Sequence, residues 1–238
     1  RIPILARQFG GTVLGHDAGG SILDDAFDAL GIRLQSEDTG ALGEFDRSET
    51  LRVTGDPADP FALPKAALAA CGILPQDGTS LKDHLEAMGG GFLLRSQVRN
   101  VPKGSGLGTS SILSAACAGA LLDFFGIPHT KEDITQRVLV MEQLMDTGGG
   151  WQDQIGGLYP GIKFITSAPG LLQQPVIRPL ALSDVTREAL ENRFALIYTG
   201  QRRLARNLLR EVVGRYLGRE PEALEALEQG DEGAKQLL

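Results

Sequence analysis

The chain has 238 residues with 23 basic and 30 acidic side chains, a formal net charge of −7, and 42% hydrophobic residues. The apolar fraction excludes a disordered chain, and the acidic balance argues against a nucleic-acid partner, because neutralising phosphates requires a basic surface. No run of 18 apolar residues occurs, so we expect no membrane span and no membrane partner.

The first hundred residues are predicted to contain short strands and short helices. Residues 2–14 have the pattern of one or two strands, and residues 15–60 mix apolar segments with turn signals typical of an irregular or β-rich region. A proline at the start and a glycine at the end predict a helix over 64–72. A second helix is expected over 80–88, and alternating apolar residues predict a strand over 92–101.

Two helices are predicted in the centre of the chain. An apolar helix covers about 110–125. Thr130 is a typical N-cap for the next helix, because its hydroxyl can accept a backbone N–H of the first turn. Three glycines over 148–150 end this second helix. Its apolar residues recur at helical spacing and predict a buried face: Ile134, Val138, Met141 and Met145.

The last third of the chain is predicted to combine strands and charged helices. Strands are expected over 159–166 and 194–199, and amphipathic helices over 201–217 and 221–238. Residues 167–193 contain three prolines and are the best candidate for a linker between domains.

Cysteine and histidine usage excludes two common kinds of site. Two cysteines are too few for a disulfide framework, and three dispersed histidines offer no zinc-ligand spacing. Cys71 and Cys117 lie in alanine-rich apolar stretches, so we expect them to be buried thiols in the reducing cytoplasm.

A glycine-rich loop over 101–111 leads into the apolar helix and can bind an anion. Its glycines permit tight turns, and the unpaired N–H groups at a helix start attract phosphate. Because no lysine precedes Thr109, the loop is not a Walker A motif, and Thr109 also breaks the dinucleotide pattern. The loop is either a flexible turn or a phosphate site. The hydroxyl run Thr109, Ser110 and Ser111 favours the phosphate site.

Two acids follow the loop and are candidates for catalysis. Glu142 lies at the edge of the buried face of the helix that begins near Thr130, where it is either a surface residue or a metal ligand. Asp153 follows a glycine run beside Trp151 and Gln152, and it is either a helix cap or a proton acceptor. A phosphate loop, a helix-start hydroxyl and two acids together are typical of phosphoryl transfer.

The residues of the loop and the acids carry a resemblance to one superfamily. Residues 102–111 resemble the phosphate motif of the GHMP kinases, the superfamily of galactokinase, homoserine kinase and mevalonate kinase. Glu142 and Asp153 follow at a spacing similar to that of mevalonate kinase. Residues 141–154 most resemble the L-fucokinases, including the kinase part of bifunctional fucokinase/GDP-fucose pyrophosphorylases. Two further segments are similar to the same group, at 61–67 and 198–200.

The resemblance implies an α+β fold with the two lobes of the GHMP kinases. The N-terminal lobe, similar to domain 2 of ribosomal protein S5, would cover 1–190, and 191–238 would begin the α+β C-terminal lobe. The first and third motifs of the superfamily are missing from the chain, and we expect them before Arg1 and after Leu238.

The resemblance also implies ATP and Mg²⁺ as cofactors and a role for each matched residue. Ser110 and Glu142 would be the Mg²⁺ ligands, and Asp153 would be the catalytic base. The residues that would wrap the ATP phosphates are Gly104, Ser105, Gly106, Leu107, Gly108, Thr109, Ser110 and Ser111. The residues that would border the sugar are Trp151, Gln152, Thr199 and Gly200.

The resemblance thus implies an ATP-dependent kinase that phosphorylates the anomeric hydroxyl of L-fucose or a related sugar, with small-molecule sugar and ATP as its partners. Two alternatives remain at this point. One is a heptose-phosphate or other sugar kinase of the same superfamily, because the phosphate loops are alike. The other is a catalytically silent fragment that binds nucleotide or sugar. The presence of Ser110, Glu142 and Asp153 favours an active parent protein, whereas the missing first and third motifs favour a silent fragment.

Overall fold

The computed structural model describes residues 31–56, 58–75, 78–98, 101, 106–147, 149–170, 174–197 and 205–236. The strands predicted over 2–14 lie outside these described residues. Within them the chain is a mixture of helices and strands, as the sequence predicts. No helix in the described ranges is long and apolar enough to cross a membrane.

A three-stranded sheet begins the described part of the chain. Strands β1 (Ile32–Ser36), β2 (Ala41–Phe45) and β3 (Phe92–Ser96) lie in the order β2-β1-β3. β1 is antiparallel to β2 and parallel to β3. Ile32 and Leu34 alternate along β1 and are fully buried, which fixes the register of the central strand. The β-rich region predicted before residue 60 is confirmed where it is described.

Five helices contribute side chains to the same hydrophobic core as this sheet. They are α1 (Ala62–Ala70), α2 (Leu81–Ala87), α3 (Thr109–Phe124), α4 (Lys131–Leu144) and α5 (Gln152–Leu158). The first four correspond to the predicted helices. Thr130 caps α4 as predicted, and it does so in a reciprocal capping box with Asp133.

The core is formed where α1, α3 and α4 pack against each other. α3 is rich in alanine and other small residues, so neighbouring helices can approach it from more than one side. Leu68, Leu122 and Val138 are fully buried there, and each buried side chain of this size contributes about 1.5–3 kcal/mol. Of the predicted face of α4, Ile134, Val138 and Met141 are buried and Met145 is half-buried.

The end of α4 and the segment after it differ from the prediction. α4 ends at Leu144, before the glycine run, and Asp146 adopts a left-handed conformation with φ of 54°. The short helix α5 was not predicted, because two glycines inside it are poor helix formers. Tertiary packing against α3 and α4 stabilises it instead.

The predicted linker over 167–193 is wrong for its described residues. They contain the strand β5 (Pro175–Pro179), antiparallel to β4 (Lys163–Ser167), and the helix α6 (Asp184–Arg193). Pro175 and Pro179 are compatible with the sheet because they are the first and last residues of a strand in a two-stranded sheet, where a missing N–H is tolerated. β4 is also shorter than the predicted strand over 159–166.

The strand predicted over 194–199 is wrong for residues 194–197, which have no regular structure. They are strongly exposed, so the apolar pattern there does not reflect burial in the described structure. The two predicted charged helices are confirmed as α7 (Ala205–Leu217) and α8 (Pro221–Gln236).

The two cysteines are buried and free, which confirms the sequence-based expectation of buried thiols. Burial raises the pKa of the Cys71 thiol to about 11. Burial raises the pKa of Cys117 to about 12. Since the thiolate is the reactive form, both side chains are neutral and inert in the folded protein.

We therefore expect 5,5′-dithiobis(2-nitrobenzoate) to react slowly with the native protein and to release two equivalents of thiolate after unfolding in guanidinium chloride. Raising the pH from 7 to 9 should accelerate the unfolded reaction strongly, because a free thiol has a pKa of about 8.5. In the native protein both thiols should stay almost entirely protonated at pH 9, because that pH lies below both raised pKa values, so the native reaction should remain much slower than the unfolded one. Rapid modification of either cysteine in the native protein would contradict the packing of α1 against α3.

Candidate active site

The glycine loop ends at Gly108, which precedes the first turn of α3. Gly108 has a φ of +66°, a conformation that L side chains rarely adopt. Leu107 and Ser110 are exposed and Thr109 is half-buried, whereas Ser111 is buried. Two predicted members of the loop, Gly104 and Ser105, lie outside the described residues. The first turn of the long helix α3 is thus accessible to solvent beside the described part of the loop. Its unpaired backbone N–H groups can bind an anion there.

Glu142 is buried in the last turn of α4, with 6% of its surface exposed. The Ser111 hydroxyl donates a hydrogen bond to Glu142 Oε1 at 2.6 Å. The Thr147 hydroxyl donates to the other carboxylate oxygen, Oε2. A buried carboxylate is costly unless hydrogen bonds or a cation compensate it. The surface alternative for Glu142 is therefore wrong, and the residue faces the start of α3.

The hydroxyl beside Glu142 in the structure belongs to Ser111, whereas the resemblance assigns Ser110 as a metal ligand. Consecutive residues on a helix point about 100° apart, so the Ser110 and Ser111 hydroxyls leave α3 in different directions. Ser110 is exposed at the second position of α3. Its assignment as a ligand stays a prediction.

Asp153 lies in the first turn of α5, against the glycine loop. A Cβ added to Gly108 would lie 3.1 Å from Asp153 Cβ and 3.4 Å from its Oδ1. Farther along α5, a Cβ on Gly157 would lie 2.6 Å from Cγ1 of Ile112 in α3. The two glycines permit α5 to approach the start of α3 closely. This approach brings a carboxylate next to the predicted phosphate site.

The electrostatic environment favours Asp153 as a proton acceptor. Asp153 is an exposed residue, but partial desolvation by its neighbours, and secondarily the negative charge of Glu142, raise the pKa of its carboxyl above the ordinary value. A carboxylate with a raised pKa is a stronger base once it is ionised. Sequence spacing alone could not predict this coupling, because it requires both acids at one end of α3.

The residues around Asp153 have different exposures. Trp151 is half-buried and Gln152 is exposed, so both are accessible to a ligand. Gln154 was not singled out by the sequence analysis. It is fully buried, and neither atom of its amide has a hydrogen-bond partner among the described residues. The predicted sugar-site residues Thr199 and Gly200 lie outside the described residues.

The donor atoms present fit a magnesium ion. The described residues contain no group of three or more histidine, cysteine or acidic side chains that could hold a metal by itself. Glu142 and the Ser111 hydroxyl bonded to it are hard oxygen donors. Mg²⁺ is usually held by one or two carboxylates together with substrate phosphates. This donor set is therefore suited to an ion that arrives with a nucleotide.

Comparison with known proteins gives a consistent result. Residues 79–161 match the family model "GHMP kinases N terminal domain", a range that contains the loop, Glu142 and Asp153. The chain is 42% identical over 209 residues to the bifunctional fucokinase/GDP-fucose pyrophosphorylase of Arabidopsis thaliana, a match that covers 87% of this chain and 19% of that protein. It is 40% identical over 189 residues to the L-fucokinase/L-fucose-1-P guanylyltransferase of Bacteroides fragilis, with coverages of 76% and 20%.

The chain thus spans about a fifth of the length of these two curated relatives. Among solved structures, a mevalonate kinase matches with a TM-score of 0.50 at 16% identity, covering 68% of this chain and 46% of that one. This likeness concerns the fold, and together with the observed helices and strands it confirms the α+β fold class.

The contact between Gly108 and Asp153 predicts unequal effects of two alanine substitutions in the loop. Gly106 also has a positive φ, of +78°, but no described atom lies within 4 Å of its Cβ position. We expect Gly106→Ala to lower the free energy of unfolding by about 1 kcal/mol through backbone strain alone. Gly108→Ala should cost about 2–3 kcal/mol, because its methyl group also displaces Asp153.

Denaturant unfolding of both variants and the wild-type protein measures this difference. Equal costs for the two substitutions would contradict the close approach of α5 to the loop.

Proposed function

Because the chain contains a GHMP kinase N-terminal domain, we propose that it carries the catalytic centre of an ATP-dependent sugar kinase. The reaction is phosphorylation of the anomeric hydroxyl of L-fucose to give the sugar 1-phosphate. The observation that carries the proposal is the packing of Asp153 against Gly108. It puts a carboxylate of raised pKa beside the loop that would hold the phosphates of ATP.

The choice of L-fucose is supported by the relatives. Both curated proteins reported above are named as fucokinases, and their similarity covers 87% and 76% of this chain. These ranges include Trp151, Gln152 and Asp153, the part of the site expected to meet the sugar. The accessible Trp151 ring offers an apolar wall, and Gln152 offers an amide that can bond to sugar hydroxyls. Thr199 and Gly200 would complete this border.

The phosphate end of the site is assigned to the glycine loop. Residues 104–111 would wrap the phosphates of ATP, with backbone N–H groups of the first turn of α3 directed at them. Glu142 and Ser110 would hold Mg²⁺. When bound, the ion neutralises phosphate charge that develops during transfer. The proposed location is the cytoplasm, where ATP is abundant.

Asp153 would act on the sugar. Its carboxylate accepts the proton of the attacking hydroxyl while the hydroxyl oxygen forms a bond to the γ-phosphorus. The bond between the γ-phosphorus and the bridging oxygen breaks, and ADP leaves with that oxygen. The two Glu142 oxygens accept hydrogen bonds from Ser111 and Thr147, which hold this carboxylate at the proposed metal position. The two carboxylates thus have separate tasks.

We expect Asp153→Ala to lower kcat by about 10²–10⁴-fold, the usual contribution of a general base. The dissociation constant for ATP should stay within about twofold, because the phosphates are held by the loop. Coupled-enzyme kinetics and calorimetric titration with ATP measure the two quantities. Asp184→Ala is the matched control, since Asp184 also lies in the first turn of a helix but is 92% exposed.

Wild-type turnover in Asp153→Ala would remove this residue from the mechanism.

A sugar screen tests the substrate. ADP release by the wild-type protein should give its highest kcat/KM with L-fucose, among L-fucose, D-arabinose, D-galactose and a heptose phosphate. A preference for the heptose phosphate would correct the substrate while leaving the kinase intact. No turnover with any of these sugars would reject the kinase in favour of a silent binding module.

A further inference from the structure

No role is predicted for Thr147 from the sequence, although it lies within the segment 141–154, yet its hydroxyl is bonded closely to Glu142. Its hydroxyl donates to Glu142 Oε2 and lies 3.1 Å from the Glu142 carbonyl oxygen. Its backbone N–H donates to the same carbonyl at 3.0 Å. Thr147 is the third residue after α4, so it holds both the backbone and the side chain of the last turn of this helix.

Two further neighbours restrict the position of the Glu142 carboxylate. Ser111 bonds to Oε1 from the first turn of α3. A Cβ added to Gly149 would clash with Glu142 Oε2, so the carboxylate lies close against the Gly149 backbone. Each carboxylate oxygen keeps a lone pair for a cation after accepting one hydrogen bond. The Glu142 carboxylate is thus held in one orientation and can still bind a cation.

We propose that Thr147 is a positioning residue, whose hydroxyl holds the Glu142 carboxylate in the orientation that receives the metal ion. The inference rests on the proposed function, in which Glu142 is a metal ligand. Mg²⁺ requires nearly ideal octahedral geometry, so a glutamate free to change rotamers would bind it less well. Groups that orient a metal ligand typically change metal affinity by about 10–100-fold when they are removed.

A purely structural role for Thr147 makes a different prediction. If the hydroxyl only ends α4 through its bond to the Glu142 carbonyl, its removal lowers stability and leaves metal binding unchanged. The decisive measurement is therefore the affinity for a divalent ion, followed alongside thermal unfolding.

The test compares three variants of the protein. Thr147→Val keeps the shape and removes the hydroxyl, and Thr147→Ser keeps the hydroxyl. Thr135→Val is the matched control, because Thr135 is a buried threonine of α4 whose hydroxyl bonds to the Lys131 carbonyl, away from Glu142. Binding of Mn²⁺ in the presence of ADP is measured from the electron paramagnetic resonance signal of the free ion.

We expect Thr147→Val to weaken Mn²⁺ binding by about tenfold or more. The Mn²⁺ dissociation constant of Thr147→Ser should stay within about threefold of the wild-type value. That of Thr135→Val should equal the wild-type value. In turnover assays, Thr147→Val should need a higher Mg²⁺ concentration for half-maximal rate, with the KM for the sugar unchanged.

Wild-type Mn²⁺ affinity in Thr147→Val would overturn the inference. If that variant does not fold, Thr147→Ala replaces it and is judged by the same two outcomes. A wild-type protein that phosphorylates L-fucose, combined with unchanged metal binding in Thr147→Val, rejects only the positioning role. A wild-type protein that binds no Mn²⁺ with ADP rejects the proposed function and the inference together.

Discussion

The buried carboxylate of Glu142 is the constraint on which the site depends. A carboxylate with 6% of its surface exposed must be compensated by hydrogen bonds or by a cation. Ser111 and Thr147 supply hydrogen bonds from two different parts of the chain. Their bonds connect the first turn of α3 and the segment after α4 to one charged group. The position of each segment is therefore coupled to the others through Glu142.

Close backbone approach completes the arrangement. The Asp153 side chain lies against Gly108 and the Ile112 side chain lies against Gly157, so α5 packs closely on the start of α3. Gly149 gives the Glu142 carboxylate room in the same way. These three glycines thus determine how closely the loop approaches the two acids. From the sequence alone they would be interpreted as turn residues. The charge of Glu142 can then raise the pKa of Asp153, which a larger separation would weaken.

Much of this structure follows from local sequence signals. Helix α4 was predictable because its cap at Thr130 and its apolar spacing agree. The helix α5 was not, because its stability comes from packing against α3 and not from helix propensity. The strand predicted over 194–199 failed for the opposite reason: residues 194–197 have strand-forming side chains, but tertiary structure in the described ranges gives them no pairing. Both acids of the site were identified from the sequence. The contacts of Ser111 and Thr147 with Glu142 were not predictable from the sequence, because it does not show which of several neighbouring hydroxyls points toward the carboxylate.

We propose that one end of α3 brings together the phosphate loop, Glu142 and Asp153 as a single reaction centre. A crystal structure of the protein with Mg²⁺, a non-hydrolysable ATP analogue and L-fucose tests it most directly. We expect the γ-phosphate at the first turn of α3, the ion on Glu142 with the Thr147 hydrogen bond retained, and an Asp153 oxygen within hydrogen-bond distance of the anomeric hydroxyl. A nucleotide bound away from this helix start, or a sugar out of reach of Asp153, would contradict it.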